Sequence, residues 1–249
     1  MPTVKPYRWL AEYYDRIFAP ARGPFVAARR RILRRVMSQV RSACDLACGT
    51  GDTAVELAAA GIRVYAVDDS AGMCRATREK TRTCVPKVRV IHSDMRAFSL
   101  PEPVDLVTCE CDALNHIPRR GDLRAVARSV GRALRPGGHF FFDVNNVAGF
   151  ESYWRGDLWL EAPGVVAVLR SRHRGNRAWS DVEWFLRDGA AWRRRSERVE
   201  EVCWTAEEIE RTFQRAGFDR VEAFDAAPSL NHADVRPGCR TFYLARRVE

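Results

Sequence analysis

From Cys44 to Asn146 the chain alternates short apolar runs with stretches of helical period. "ACDLA", "IRVYAVD", "KVRVIHSD", "VDLVTCEC" and "HFFFDVNN" read as five buried strands. "DTAVELAAA", "SAGMCRATREKT" and "GDLRAVARSVGRAL" read as helices between them. Ser70 stands as the cap of the second, and Leu123, Val126, Ala127, Val130 and Leu134 share one face of the third. "RPGG" reads as a tight turn before the fifth strand. Strands joined by helix-length connections predict parallel βαβ units and a doubly wound α/β sheet. Ahead of this block, Pro6 to Phe18 predicts a short helix and Gly23 to Val40 a longer one.

After Asn146 the rhythm changes. "GVVAVLRSRH", "RAWSDVEWFLRD" and "AAWRRRSERVEEVCW" read as three antiparallel strands with turns at "RGN" and "DGA". Helical period returns in "TAEEIERTFQRAGF", with Thr205, Glu207 and Glu208 as its start signal and Gly217 as its stop. "RVEAFDA" and "RTFYLARR" are two last strands without a helical pattern between them, and pair antiparallel. The expected organisation is N-terminal helices over 1–42, a ligand-binding core over 43–149, an antiparallel β insertion over 150–204 acting as a lid, and a helix with a strand pair over 205–249 completing the core sheet.

With 249 residues, nearly half of them apolar, the chain can bury a substantial core. No apolar run is long enough for a membrane span, and the charged, aromatic N-terminus lacks a signal-peptide apolar region, so the expected location is the cytoplasm. Eight cysteines without a C-x-x-C pair read as reduced, mostly buried thiols and not as a zinc site. The net charge of +9 raises nucleic acid as a partner, but the arginines are scattered along the chain and read as solvated faces.

The chemistry concentrates in "CDLACGTGDTAVELAAAGIRVYAVDDS". Gly49, Gly51 and Ala54 fit G-x-G-x-x-A, a strand that stops at glycines and turns into a helix whose N-terminal N–H groups face a ligand. That pattern alone suits several ligands. Three carboxylates narrow it. Asp45 precedes the turn, repels a pyrophosphate and suits a cationic amine. Asp68 ends the second strand, where an acid accepts ribose hydroxyls, and Asp94 ends the third, placed for an exocyclic adenine amine. An amino acid, a ribose and an adenine without phosphate describe S-adenosylmethionine.

The chain resembles the class I S-adenosylmethionine-dependent methyltransferases. The resemblance rests on D-L-A-C-G-T-G (Asp45 to Gly51), V-D-D-S-A-G-M (Val67 to Met73), S-D-M-R (Ser93 to Arg96), V-D-L-V (Val104 to Val107) and L-R-P-G-G (Leu134 to Gly138), in that order. It implies a Rossmann-like seven-stranded, mostly parallel sheet with an antiparallel last strand. It also implies that Ala47, Gly49 and Gly51 line the methionine and ribose, that Asp68 takes the ribose hydroxyls, that Met73 and Met95 flank the adenine, and that Ser93 and Asp94 belong to the adenine end. Cys109 and Cys111 would lie near the sulfonium. Asp69 departs from the usual pattern, and leaves open which carboxylate of the Asp68–Asp69 pair holds the ribose.

Methyl transfer is an in-line displacement from an excellent leaving group, leaving an enzyme chiefly to align the nucleophile and, where needed, remove its proton. The small-molecule members that the chain resembles, amino-sugar N-methyltransferases among them, share a Tyr-Asp in the N-terminal segment and a polar stretch after the fourth strand. That implies Tyr14 closing over the cofactor and His116 facing the acceptor, where its pKa range suits a base. Asp112, Asp143, Asn145 and Asn146 also end strands. The contiguous Asp-Asn of magnesium-dependent relatives is interrupted by Val144, so no metal is expected. The expected function is methyl transfer to N, O or C of a small molecule, releasing S-adenosylhomocysteine, with nucleic acid disfavoured and a homodimer allowed. The alternatives are an RNA or protein methyltransferase, suggested by the charge; an NAD-dependent oxidoreductase, opposed by Asp45 and "SDM"; and a non-catalytic S-adenosylmethionine sensor.

Overall fold

The structure, a computed structural model, describes residues 10–18, 23–225 and 238–248. Seven strands form one sheet: β1 Ser42–Leu46, β2 Arg63–Asp68, β3 Arg89–His92, β4 Val104–Cys109, β5 Leu134–Asn145, β10 Phe218–Asp225 and β11 Arg240–Arg247. Their order is β10-β11-β5-β4-β1-β2-β3. β1 to β5 run parallel, and β11 lies antiparallel between β5 and β10. The sheet reverses its strand order at β1, beside β4, which is where ligands enter open α/β sheets.

Both faces of the sheet are covered, as its unbroken apolar strands require. Within "FFF", Phe140 and Phe142 face a core shared with helices α5 (Arg120–Ala133) and α7 (Ala206–Gln214). Phe141 faces the opposite core, with α2 (Gly23–Leu33) and α3 (Asp52–Ala59). Local signals set the ends. Ser70 Oγ accepts from Met73 N at 3.3 Å to cap α4 (Ala71–Lys80), and Thr205 with Glu208 forms a full capping box for α7.

Several expectations need correction. The N-terminal helix α1 is described as Leu10–Phe18, and residues 6–9 of the expected helix lie outside the described residues. α2 stops at Leu33, and a turn and a short 3-10 helix, Met37–Gln39, replace its expected last part. "RPGG" lies within β5, which takes up the irregularity as a register shift against β4. The insertion has four strands, not three: β6 Gly156–Ala162, β7 Val165–Arg174, β8 Arg177–Asp188 and β9 Ala191–Val202, in consecutive hairpins after helix α6 (Val147–Tyr153). β6 was obscured because much of it is exposed, Leu158 and Trp159 included.

One face of this second sheet packs on α1. Val165, Ala167, Val182 and Trp184 meet Ala11 and Tyr13 of α1 and Met73 of α4. α1 thereby joins the inserted sheet to α4 of the main sheet. Among the described residues, no helix is long and apolar enough to cross a membrane.

Candidate active site

At the carboxyl end of β1 the chain enters a tight turn with positive φ at Ala47, Gly49 and Gly51. Gly51 admits no side chain, because a Cβ would come within 2.7 Å of Thr77 of α4. Thr77 Oγ1 also donates to the carbonyl of Gly49 at 2.8 Å, so α4 holds the turn from outside. A Cβ on Gly49 would meet nothing within 4 Å, so the turn presents open space there. Asp68, at the end of β2, closes over it: Oδ2 accepts from Gly49 N at 2.9 Å and Oδ1 from Ser70 N at 2.8 Å. Burial raises the Asp68 carboxyl and these two N–H donors oppose the rise. Asp69 is exposed.

Asp45 is the penultimate residue of β1. It is buried, with Oδ1 accepting from Thr108 Oγ1 at 3.0 Å and Oδ2 without a hydrogen-bond partner. Burial pushes its pKa up to about 7 against the pull of Thr108 and Arg29. Glu110, just after β4, is pushed to about 7 by the same cause. Arg29 from α2 offsets both: its Nη1 donates to both Glu110 oxygens at 2.8 Å and to Thr53 Oγ1 at 2.8 Å, and its Nη2 pairs with Glu56. Spacing along the chain singles out neither Arg29, one of the arginines read as a solvated face, nor Glu110. An acid inside "TCECD" was the visible signal for the second.

The remaining expected cofactor residues disperse. Ser93 N donates to the Asp68 carbonyl at 3.0 Å, which places it beside the turn. Asp94 is taken up by Arg96, whose N and Nε donate to it at 2.8–3.0 Å and whose Nη2 also pairs with it. Met95 packs on the α5-side core. Met73 is buried among α1 and the inserted sheet, and Tyr14 packs in the same cluster with its ring 5.0 Å from Phe18. Cys109 is buried in β4. Cys111 is exposed, in the left-handed region with Asp112.

A polar cluster fills the space beyond β4 and β5. The backbone N–H groups of Cys111 and Asp112 donate to the two Asp143 oxygens at 2.8 and 3.0 Å, which accounts for two consecutive residues at positive φ. Arg240, at the start of β11, pairs with Asp143, lies 3.4 Å from Asp112 and stacks over Phe25 at 4.6 Å. A guanidinium therefore supplies the positive charge among the carboxylates weighed above for magnesium. The 3-10 segment Ala113–His116 is anchored by buried Asn115, whose Nδ2 donates to the carbonyls of Asn145 and Val202 at 3.0 Å. His116 is thereby delivered against β9. Its Nδ1 lies 3.2 Å from the Glu200 carbonyl and its Nε2 3.7 Å from Glu201 Oε1. Asn145 Nδ2 bridges Asp112 Oδ2 at 2.5 Å and Glu201 Oε2 at 3.2 Å. Burial, and then the Asp112 charge, holds Glu201 well above the usual carboxylate range. Burial also lowers His116, with Asp112 opposing.

Residues 43–138 match the model of a methyltransferase domain. The chain is 32% identical over 183 residues to the dTDP-4-amino-2,3,4,6-tetradeoxy-D-glucose N,N-dimethyltransferase of Saccharopolyspora spinosa, covering 72% of this chain and 67% of that one. The chain belongs to the S-adenosylmethionine-dependent methyltransferases. This methyltransferase is also similar in fold to an S-adenosylmethionine-dependent methyltransferase from Clostridium acetobutylicum, with a TM-score of 0.80 at 23% identity over 98% of this chain and 99% of that one. A sugar N-methyltransferase from Streptoalloteichus superposes with a TM-score of 0.73 at 24% identity, over 88% and 85% of the two chains. S-adenosylmethionine is its methyl donor, and the turn fits a nucleoside and an amino acid. The space above Gly49 is open, a carboxylate is turned onto it, and the adjacent Asp45 oxygen lacks a partner.

Proposed function

We propose that this methyltransferase acts on an amine nitrogen of a small molecule, of the amino-sugar class. The observation that carries the reading is the setting of His116, a neutral imidazole beside Asp112 and Glu201 at the carboxyl end of the sheet. Carboxylates there favour a cationic ammonium, and an adjacent imidazole takes the proton that must leave it. The dimethyltransferase relative acts on an amino sugar by its name, which supports the same class.

Gly49 and Gly51 would receive the methionine and ribose, with Ala47 at the turn's start and Asp45 beneath it. Asp68 would hold the ribose hydroxyls. Its contact with the turn favours it over Asp69. Ser93, Asp94 and Met95 would form the adenine end, with Arg96 yielding one Asp94 oxygen, and Met73 would support that end from below. Cys109 and Cys111 would border the sulfonium side, and Tyr14 would close over it. The bound donor supplies a methyl group on a positively charged sulfur. The acceptor ammonium would first give its proton to His116, and the electron pair freed on nitrogen would then take the methyl group, the product leaving as its ammonium.

In this reading the N-terminal helices cover the cofactor side and the inserted sheet covers the acceptor side. The sheet's outer face also suits a second copy of the chain. Trp159 and Trp192 are 62% and 51% exposed, beside Val166, Val168 and Phe185. Around them Arg170, Arg194 and Arg198 pair with Asp157, Glu183 and Asp181, giving both signs of charge and a self-complementary rim. Four strands of this length offer roughly 600 Å² of flat area before side-chain relief, the scale of a standard interface. We place the enzyme in the cytoplasm, a reading supported by its eight free cysteines.

The test is transfer of label from methyl-labelled S-adenosylmethionine to dTDP-linked amino sugars and to their hydroxyl counterparts. Label on the amines alone is expected. Label on the hydroxyl compounds alone, or on RNA, would overturn the proposal.

A further inference from the structure

The inserted sheet contributes more than a cover. Two consecutive residues of β9 address both nitrogens of the His116 ring: the Glu200 carbonyl faces Nδ1 at 3.2 Å and the Glu201 carboxyl faces Nε2 at 3.7 Å. A carbonyl oxygen only accepts, so Nδ1 carries the hydrogen and donates it. In the neutral ring Nε2 is then the bare, basic nitrogen, and it is the one that faces Glu201.

Glu201 is itself held. It is buried, with Oε2 accepting from Asn145 Nδ2 at 3.2 Å, and Asn145 in turn binds Asp112. Asn145 ends β5, Asp112 follows β4 and Glu201 ends β9, so the three join the main sheet to the inserted one. A buried acid costs stability unless it is hydrogen-bonded, and Glu201 bonds both Asn145 and Asp112. Its neighbours leave its Oε1 turned to the imidazole.

We propose that Glu201 is the positioning residue for His116: through Oε1 it orients Nε2 toward the acceptor and stabilises the imidazolium formed when the acceptor loses its proton. The proposal rests on reading His116 as the group that takes that proton. In the step, the acceptor N–H bond breaks, its electron pair stays on nitrogen, and the proton binds Nε2 beside Glu201. Solvent then removes the proton from Nε2. The groups facing this pair are Asp112 after β4, Asp143 of β5, Glu200 of β9, Cys203 beyond it and Arg240 of β11.

The test uses the full chain saturated with S-adenosylhomocysteine and follows His116 by ring-nitrogen NMR, assigned with His116→Gln. It needs no acceptor, so its outcome is separate from that of the label-transfer experiment. In the unsubstituted protein the neutral ring should carry its hydrogen on Nδ1. In Glu201→Gln the His116 pKa should fall, because the amide cannot release a proton and become the negative partner of the imidazolium, with S-adenosylhomocysteine affinity within about twofold. A structural role alone would leave the titration in place. An Nε2–H tautomer in the unsubstituted protein, or an unchanged His116 pKa in Glu201→Gln, would overturn the proposal. Should Glu201→Gln fail to fold, the tautomer of the unsubstituted protein decides.

Discussion

The Asp68 carboxylate, at the end of β2, accepts the backbone N–H of Gly49 at 2.9 Å and so locks the strand end to the glycine turn. One side chain shapes the turn and presents an acid over it. Asp68→Ala should weaken S-adenosylhomocysteine binding by about 1.5–3 kcal/mol, the range for a hydrogen bond to a charged group. Asp69→Ala should leave it unchanged. Isothermal calorimetry on the two variants decides, and the reverse ranking would move the ribose role to Asp69.

Asp45 makes stability fall as pH rises. Its folded pKa of about 7 lies above the unfolded value of about 3.9. Its contribution is therefore complete below pH 4 and lost as the pH passes 7. Asp45→Asn keeps the neutral form at every pH. Urea unfolding of the ligand-free proteins should give similar stabilities at pH 4.5. At pH 8 the variant should gain on the order of 2–4 kcal/mol. A constant difference across the range would show that Asp45 stays ionised.

Arg29 stands against Glu110, Glu56 and, at longer range, Asp45. Arg29→Met leaves buried carboxyls without their cation and should cost about 3–5 kcal/mol. Arg29→Met with Glu110→Met should recover part of that loss, because the stranded acid is gone as well. Thermal unfolding of the two single variants and the double variant measures the coupling.

His116→Gln should lower kcat for methyl transfer to the amine by about 100-fold or more while leaving S-adenosylhomocysteine affinity unchanged. Burial depresses the imidazole, so the acid limb of the unsubstituted enzyme's rate profile should lie below about 6.5. An acid limb above that value would assign the proton to another group.

The outer face of the inserted sheet gives a separate prediction. Trp159→Glu with Trp192→Glu places like charges at the centre of the proposed two-fold contact. Sedimentation velocity should then show a monomer where the unsubstituted chain is a dimer. A monomer in both would remove this face as a self-contact.

The centre of the main sheet was legible because β1, β2, β4 and β5 are mostly buried apolar runs and helical periods stand between β1 and β2, β2 and β3, and β4 and β5. The Ser70 and Thr205 caps, the glycine turn and Asp68 were legible for the same local reason: their partners lie within a few residues or one βα unit. Asp94 lies two residues past the end of β3, where Arg96, two residues on, takes its oxygens, and spacing does not reveal that competition. β6 was missed although "APG" marks the turn that follows it, because exposed Trp159 and Leu158 blur the alternation. Glu201 and Arg240 were out of reach. They meet Asp112 from 89 and 128 residues away, through a strand register that no local pattern encodes.

That register carries a consequence for how the enzyme comes into being. β11 enters between β5 and β10, so neither edge finds its neighbour until residues 240–247 have been made. The first residue of that strand is Arg240, the cation beside Asp143 and Asp112. Closing the sheet and seating a cation beside Asp143 and Asp112 are thus a single event. A nascent or truncated chain ending before Arg240 exposes two strand edges and an unbalanced pair of acids together.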